Sequence, residues 1–309
     1  MHKIHGTYCA ALTPFNVDYS INKKLLLDHC RYLLSQKIDG IAIFGSTGEG
    51  NSLSVEEKLD AINFLIENKI DPKKLLPGTG LSSIKDTVKF TKTVGKMNVR
   101  GVLVLPPFYY KNVSSEGIID YYKRLLEEVN DSKLQYLLYH IPQITGVNID
   151  FNVIEKLLSR YPDNIIGIKD SSGDSDNMLK MIKYFKNFSV FSGSDSLALR
   201  VVKGGGAGAI TAVSNISGRL LSFIINNWKN ESSISNFKEL QSLQEEIRSN
   251  VFHQQPISTL KAFISIKENN LEWNRLLPPL TLLHEPSKNT SIISLLELTK
   301  KMNLLFANS

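Results

Sequence analysis

The chain has 309 residues, 42% hydrophobic and 21% charged, which is the make-up of an ordinary globular protein and not of a disordered or fibrous one. Its formal net charge of +6 comes from scattered Lys and Arg, with no run of five or six like charges and no recognition motif, which argues against a nucleic-acid partner. No apolar run approaches the roughly 20 residues that cross a bilayer, the N-terminus lacks a signal-peptide core, and Cys9 and Cys30 have neither disulfide-framework nor metal-type spacing, so a soluble cytoplasmic protein with no membrane partner is expected.

Short apolar runs alternate with longer amphipathic ones. Residues 7–12 read as a first strand and 22–36, with leucines at helical spacing, as a helix. Residues 40–44 form a second strand that ends in the loop Gly45-Ser-Thr-Gly-Glu-Gly50. Ser54-Val-Glu-Glu57 is a capping box that opens the next helix. Residues 75–78 are a third strand, 82–96 a helix, 101–105 a fourth strand and 115–129 a helix. The fifth strand runs through Leu134-Gln-Tyr-Leu-Leu-Tyr-His140, and the sixth through Asn164-Ile-Ile-Gly-Ile-Lys169, with helix 151–160 between them. Helix 175–185, strand 189–192, a short helix 196–203 and an eighth strand 208–211 complete the alternation.

Eight strand–helix alternations point to parallel β/α units, and eight is the number that closes a barrel. The expected fold is an α/β (β/α)8 TIM barrel over residues 1–225. An open doubly wound sheet is the fallback, but Leu12-Thr-Pro-Phe15 stands where its glycine fingerprint belongs. From 217 onward strand signals vanish and four amphipathic stretches follow, broken at Leu276-Leu-Pro-Pro-Leu280. Residues 226–309 therefore read as a C-terminal helical extension.

In such a barrel the reactive groups sit at the carboxyl ends of the strands. That rule selects Ser46 and Thr47, Tyr109 and Tyr110, Tyr139, Lys169, and the Gly193-Ser-Asp195 turn. A lysine that closes a buried strand is unusual, because burial disfavours a charged ammonium. A neutral amine attacks a ketone and forms a Schiff base, and a nearby phenol carries the protons of that step. Bland readings stay open at this point. Lys169 alone can reach solvent or pair with Asp170. Gly45-Ser-Thr-Gly48 is either an anion nest or a plain turn with a helix cap. Tyr109 and Tyr110 alone read as packing residues, His140 as a hydrogen-bonded histidine without metal partners, and the glycines at 204–208 as a tight turn into the last strand.

Taken together, the motifs resemble one family. Gly45-Ser-Thr-Gly-Glu49, Tyr139-His-Ile-Pro142 with Thr145-Gly146, Gly167-Ile-Lys169-Asp170 with Gly173-Asp174, and Gly193-Ser-Asp195 with Gly206-Ala-Gly208 are similar to the class I pyruvate-dependent aldolases and lyases. That family includes dihydrodipicolinate synthase and N-acetylneuraminate lyase. The resemblance spans nearly the whole chain. It implies that Lys169 forms the imine with a 2-keto acid such as pyruvate, and that Tyr139 is the general acid/base. It implies that Ser46 and Thr47 hold the pyruvate carboxylate, with Thr47 also in a hydroxyl relay with Tyr139, and that Gly48, Ile210 and Asp195 line the substrate site. It further implies a catalytic Tyr110 that reaches a neighbouring subunit, homotetramers built as dimers of dimers, and no cofactor or metal.

Departures from the pattern bear on substrate. The synthases carry an arginine where this chain has Ile144, and an alkyl group does not replace a bidentate guanidinium. The sialic acid lyases carry an acidic residue where this chain has Ser196, and their later serine maps near Ala212. The expected activity is a lyase or aldolase that cleaves or forms the carbon–carbon bond between pyruvate and an aldehyde, on a 2-keto-3-deoxy acid. A 4-hydroxy-tetrahydrodipicolinate synthase or keto-acid dehydratase using the same imine is the alternative, and a non-catalytic 2-keto-acid-binding protein is a third reading.

Overall fold

A computed structural model describes residues 4–307. The strands β1 (Gly6–Ala10), β2 (Gly40–Ala42), β3 (Val102–Val104), β4 (Tyr136–His140), β5 (Ile165–Asp170), β6 (Ser189–Ser192) and β7 (Gly208–Thr211) are all parallel, in the order β2-β1-β7-β6-β5-β4-β3. Their residues are buried almost throughout, as parallel strands covered on both faces must be.

The gap between β2 and β3 is spanned by residues 75–78, expected as a regular strand. There the structure has only single parallel bridges, Ile41 with Leu75 and Gly78 with Leu103. The Leu76 amide donates to the Ile41 carbonyl and the Leu103 amide to the Pro77 carbonyl, both at 2.8 Å. Pro77 has no N–H to give, so the ladder is interrupted even though the backbone still joins both neighbours. The expectation of eight regular strands is thus corrected to seven, with this segment as the eighth stave of a (β/α)8 TIM barrel.

Helices α1 (Lys23–Ser35), α2 (Val55–Glu67), α3 (Ile84–Lys96), α4 (Ser115–Val129), the single turn α5 (Pro142–Thr145), α6 (Phe151–Arg160), α7 (Ser175–Tyr184) and α8 (Asp195–Lys203) surround the strands. Local chemistry sets their starts. Asn22, Ser83, Ser114, Asp150 and Asp174 accept backbone amides at the N-caps, and Ser54 with Glu57 forms the expected capping box.

The core has distinct parts. One lies between strands and helices and includes Ile41, Val104, Tyr136, Leu138 and Ile168. A second fills the barrel's interior with Tyr8, Leu103, Leu137, Tyr139, Phe191 and Ile210. A third joins α9 (Ser214–Asn227), α10 (Phe237–Phe252), α11 (Pro256–Glu268) and α12 (Thr290–Ala307) through Leu220, Leu243, Ile247, Leu260, Phe263 and Leu295. The start of α9, from which the extension continues, is tied to β1 and α1 by Asn215, which accepts the Leu12 amide at 3.1 Å, donates to the Ala10 carbonyl at 2.8 Å, and meets His29 Nε2 at 2.8 Å. Among the described residues no helix is long and apolar enough to cross a membrane.

Candidate active site

Successive strand residues point to opposite faces, so alternation decides which side chains enter the barrel. On β4, Tyr136 and Leu138 pack outward against the helices, while Leu137 and Tyr139 face the interior. On β5, Ile168 faces outward, so Lys169 is turned inward. The parallel register pairs Tyr139 with Lys169 directly. The lysine is 6% exposed and its Nζ stands 4.2 Å from the centre of the tyrosine ring. The pairing of Lys169 with Asp170 does not occur. The Asp170 carboxylate instead accepts the Ser172 amide at 2.8 Å and the Asn177 side-chain amide at 3.1 Å.

Burial pushes the Tyr139 phenol up, because a phenolate is poorly solvated in a barrel interior. The positive charge of Lys169 pulls it down, as do hydrogen bonds from Ser46, Lys169 and Ser171, and the net result lies below the ordinary tyrosine value. The tyrosine hydroxyl therefore ionises more readily than an ordinary tyrosine, at the centre of a cluster of one amine and two hydroxyls. Such a cluster can pass protons to and from an atom attacked by the amine.

The loop after β2 supplies Ser46. Its amides are tied back on the loop itself: Gly48 to the Gly45 carbonyl at 3.1 Å, Glu49 to the Ser46 carbonyl at 3.2 Å, and Gly50 to the Gly45 carbonyl at 3.1 Å. Thr13 Oγ donates to the Gly48 carbonyl at 2.7 Å. A Cβ at position 48 would fall 2.7 Å from the Ala11 carbonyl oxygen, so only glycine lets the loop lie against β1's end. Ser46, Gly45, Asn51, Gly80, Leu105 and Tyr139 line a small cavity at this end of the barrel.

The other expected residues are distributed as follows. Thr47 is half-buried in the same loop, and the hydroxyls that reach Tyr139 are those of Ser46 and Ser171. Gly48 is buried beneath it. Ile210 is fully buried in the interior cluster with Tyr139. Asp195 is engaged elsewhere: its carboxylate accepts Thr211 Oγ at 2.8 Å and Gln244 Nε2 at 3.2 Å, and burial pushes it up to about 6. Tyr110 is 74% exposed and packs edge-on against Tyr109, away from Tyr139 within this chain. Ile144 is also exposed, on α5. His140 accepts the Ile149 amide at 3.2 Å, the satisfied histidine of the bland reading.

Ser171 was not singled out from the sequence. The signal was available, since residue 171 lies two past Lys169 on an extended segment and shares its face. Its amide continues the ladder by donating to the His140 carbonyl at 2.8 Å.

Residues 3–297 match the model of the dihydrodipicolinate synthetase family. An uncharacterized DapA-like lyase of Chloroflexus aurantiacus is 34% identical over 216 residues, 70% of this chain and 72% of the relative. The N-acetylneuraminate lyase of Fusobacterium nucleatum is 30% identical over 263 residues, 85% of this chain and 88% of the relative. Among solved structures, the 4-hydroxy-tetrahydrodipicolinate synthase of Methylacidiphilum fumariolicum SolV superimposes with a TM-score of 0.85 at 26% identity, covering 97% of each chain. A barrel with an amine and a phenol side by side in its interior and a helical extension at its C-terminus thus has both the sequence and the shape of this group, and the chain is a carbon–carbon lyase of the dihydrodipicolinate synthetase family.

Proposed function

We propose that the protein cleaves or forms the carbon–carbon bond between pyruvate and a neutral, hydroxylated aldehyde, acting on a 2-keto-3-deoxy sugar acid through an imine on Lys169. The pairing of Tyr139 with Lys169 inside the barrel carries this reading. The amine attacks the keto carbon, and Tyr139 delivers the proton with which the keto oxygen leaves as water. In the cleavage direction, the substrate hydroxyl beyond the new iminium gives its proton to the Tyr139 phenolate. The carbon–carbon bond then breaks, its electron pair moves into the iminium to make an enamine, and the aldehyde departs. Protonation of the enamine carbon and hydrolysis release pyruvate and free the lysine. Ser46 and Ser171 hold the phenolate between these steps, and Ser46 and Thr47 cradle the pyruvate carboxylate, with Gly48 packed beneath them.

The aldehyde's character is read from the mouth of the barrel. Position 144 is isoleucine and offers no charge. The ammonium of Lys111, on the neighbouring loop, is occupied by the carbonyls of Phe108 and Thr145, the latter at 2.6 Å. A partner that brings its own carboxylate meets no free guanidinium there, which favours a sugar fragment over the semialdehyde used by a synthase. Borohydride trapping with pyruvate, followed by mapping of the modified peptide, tests the imine, and absence of an adduct on Lys169 in folded protein refutes it. A panel of 2-keto-3-deoxy acids assayed for pyruvate release tests the aldehyde.

We also read the protein as a cytoplasmic homotetramer, a dimer of dimers. The exposed Tyr109 and Tyr110 support a subunit contact beside the mouth, and the two free, buried cysteines suit a reducing compartment. Light scattering of the purified protein checks the assembly.

A further inference from the structure

The carboxylate of Glu49 and the ammonium of Lys261 meet at 2.5 Å with neither side chain exposed at all, across 212 positions of sequence. Glu49 closes the loop that carries Ser46 and Thr47, and its backbone is left-handed, with φ +54°. Its second oxygen accepts the Leu277 amide at 2.7 Å. Lys261 also donates to the Arg275 carbonyl at 2.7 Å and lies 4.2 Å from the centre of the Phe15 ring. Arg275 in turn donates to the Phe15 carbonyl at 3.1 Å. On the other flank the buried Lys58 donates to the Gly50 carbonyl at 3.3 Å. Every one of these groups belongs either to the loop or to what holds it.

We infer that Glu49 and Lys261 are a positioning pair, through which the helical extension fixes the loop that binds the substrate carboxylate. The inference rests on the reading of Ser46 and Thr47 as that carboxylate's ligands. A buried pair of this kind is worth little as net stability against an apolar replacement, so its use lies in the geometry it enforces. A glutamate held in a left-handed conformation by two donors from the extension leaves the preceding three residues little freedom. The extension thereby becomes part of the binding site without touching the substrate.

The test uses the full chain with four changes: Glu49→Gln, Lys261→Met, the two combined, and Leu295→Ala as a comparison. Leu295 is fully buried in the extension's own core, far in role from the loop. Two readouts are taken: the pyruvate concentration that half-saturates borohydride trapping, and amide exchange over residues 44–53. The expected result is that Glu49→Gln and Lys261→Met raise half-saturation about tenfold with the trapping rate at saturation within about threefold of the parent. Exchange at Gly48, Glu49 and Gly50 accelerates in both. The combined variant leaves no charge unpaired in the interior, so it folds where a single variant does not, and it still needs more pyruvate than the parent. Leu295→Ala lowers stability and moves neither readout. Unchanged exchange in the folded pair variants, or an equal shift in Leu295→Ala, overturns the inference. If the parent traps no pyruvate, the imine on Lys169 and with it the proposed function fail, and the exchange data alone still decide whether the pair holds the loop.

Discussion

Gly193 lies against Ser171 so closely that a Cβ at 193 would fall 1.9 Å from the serine Oγ. The Ser171 hydroxyl is one of the groups that hold Tyr139 below its ordinary ionisation range. Gly193→Ala is therefore expected to displace Ser171, whose Cβ and Cα would also lie only 2.7 and 2.9 Å from the new methyl group, and so to pull its hydroxyl off the tyrosine. Loss of one such hydrogen bond corresponds to about a tenfold fall in turnover. Ser171→Gly added to Gly193→Ala removes the contacts with Oγ and Cβ but leaves the one with the Cα at 2.9 Å and restores no hydrogen bond, so the double variant stays at least as slow as Ser171→Gly alone. Steady-state kinetics of the three variants check this.

Tyr139 is pulled in opposite directions, up by burial and down by its neighbours, foremost the charge of Lys169. Removing that charge in Lys169→Met leaves burial with less opposition, so the phenol should titrate at higher pH than in the parent. Ultraviolet difference titration, with Tyr139→Phe as the blank, reads the shift. A phenol that titrates lower in Lys169→Met contradicts the assignment. Tyr139→Phe itself should lower turnover by roughly 10² to 10⁴, the usual worth of a positioned acid/base.

His29 and Asp195 make opposed contributions to stability as pH changes. Burial pushes His29 down to about 4, so its contribution is complete above the imidazole's unfolded value near 6.5 and is lost as pH falls through about 4. Burial pushes Asp195 up to about 6, so its contribution is complete below the carboxyl's unfolded value near 4 and is lost as pH rises through about 6. Each spans on the order of 3 kcal/mol, and in the parent they largely offset between pH 4 and 7. His29→Gln should lose stability as pH rises across that window, and Asp195→Asn as pH falls. Urea midpoints measured at several pH values distinguish the two slopes.

A chain ended at residue 225 should not hold the native barrel. The cut falls inside α9, exposes the apolar face formed by Leu12, Leu220 and Ile224, and removes both Lys261 and the Leu277 amide that hold the Glu49 carboxylate. Strong binding of a hydrophobic dye and broad, non-cooperative melting are the expected signs, and a sharp native-like transition would show the barrel to be independent.

Much of this molecule could be read before its coordinates. The alternation of short apolar runs with amphipathic ones carries the barrel, because strand and helix periods differ. The ends of the runs that finish in Tyr139 and Lys169 mark the two side chains that the strand register brings together in the barrel interior. The third stave was overstated because the single residue Pro77 removes a ladder donor without altering the hydrophobic pattern. The choice between Ser46 and Thr47 as Tyr139's partner depends on the loop's dihedral angles, which adjacent hydroxyl residues do not reveal. Asp195 stands in a motif, but its partner Gln244 comes from α10, and nothing nearby in the chain announces that it is already engaged. Glu49 and Lys261 are legible as a pair only once the extension is folded back on the barrel.

The amine and the phenol sit on neighbouring staves at the same height, whereas Ile144, Lys111 and Tyr109 at the rim belong to connecting segments. Under the proposed function, reaction and selectivity are carried by separable parts of the molecule. A combinatorial library confined to the rim can search for new aldehydes while the imine chemistry beneath it is left as it is, which makes the chain a practical starting point for directed evolution.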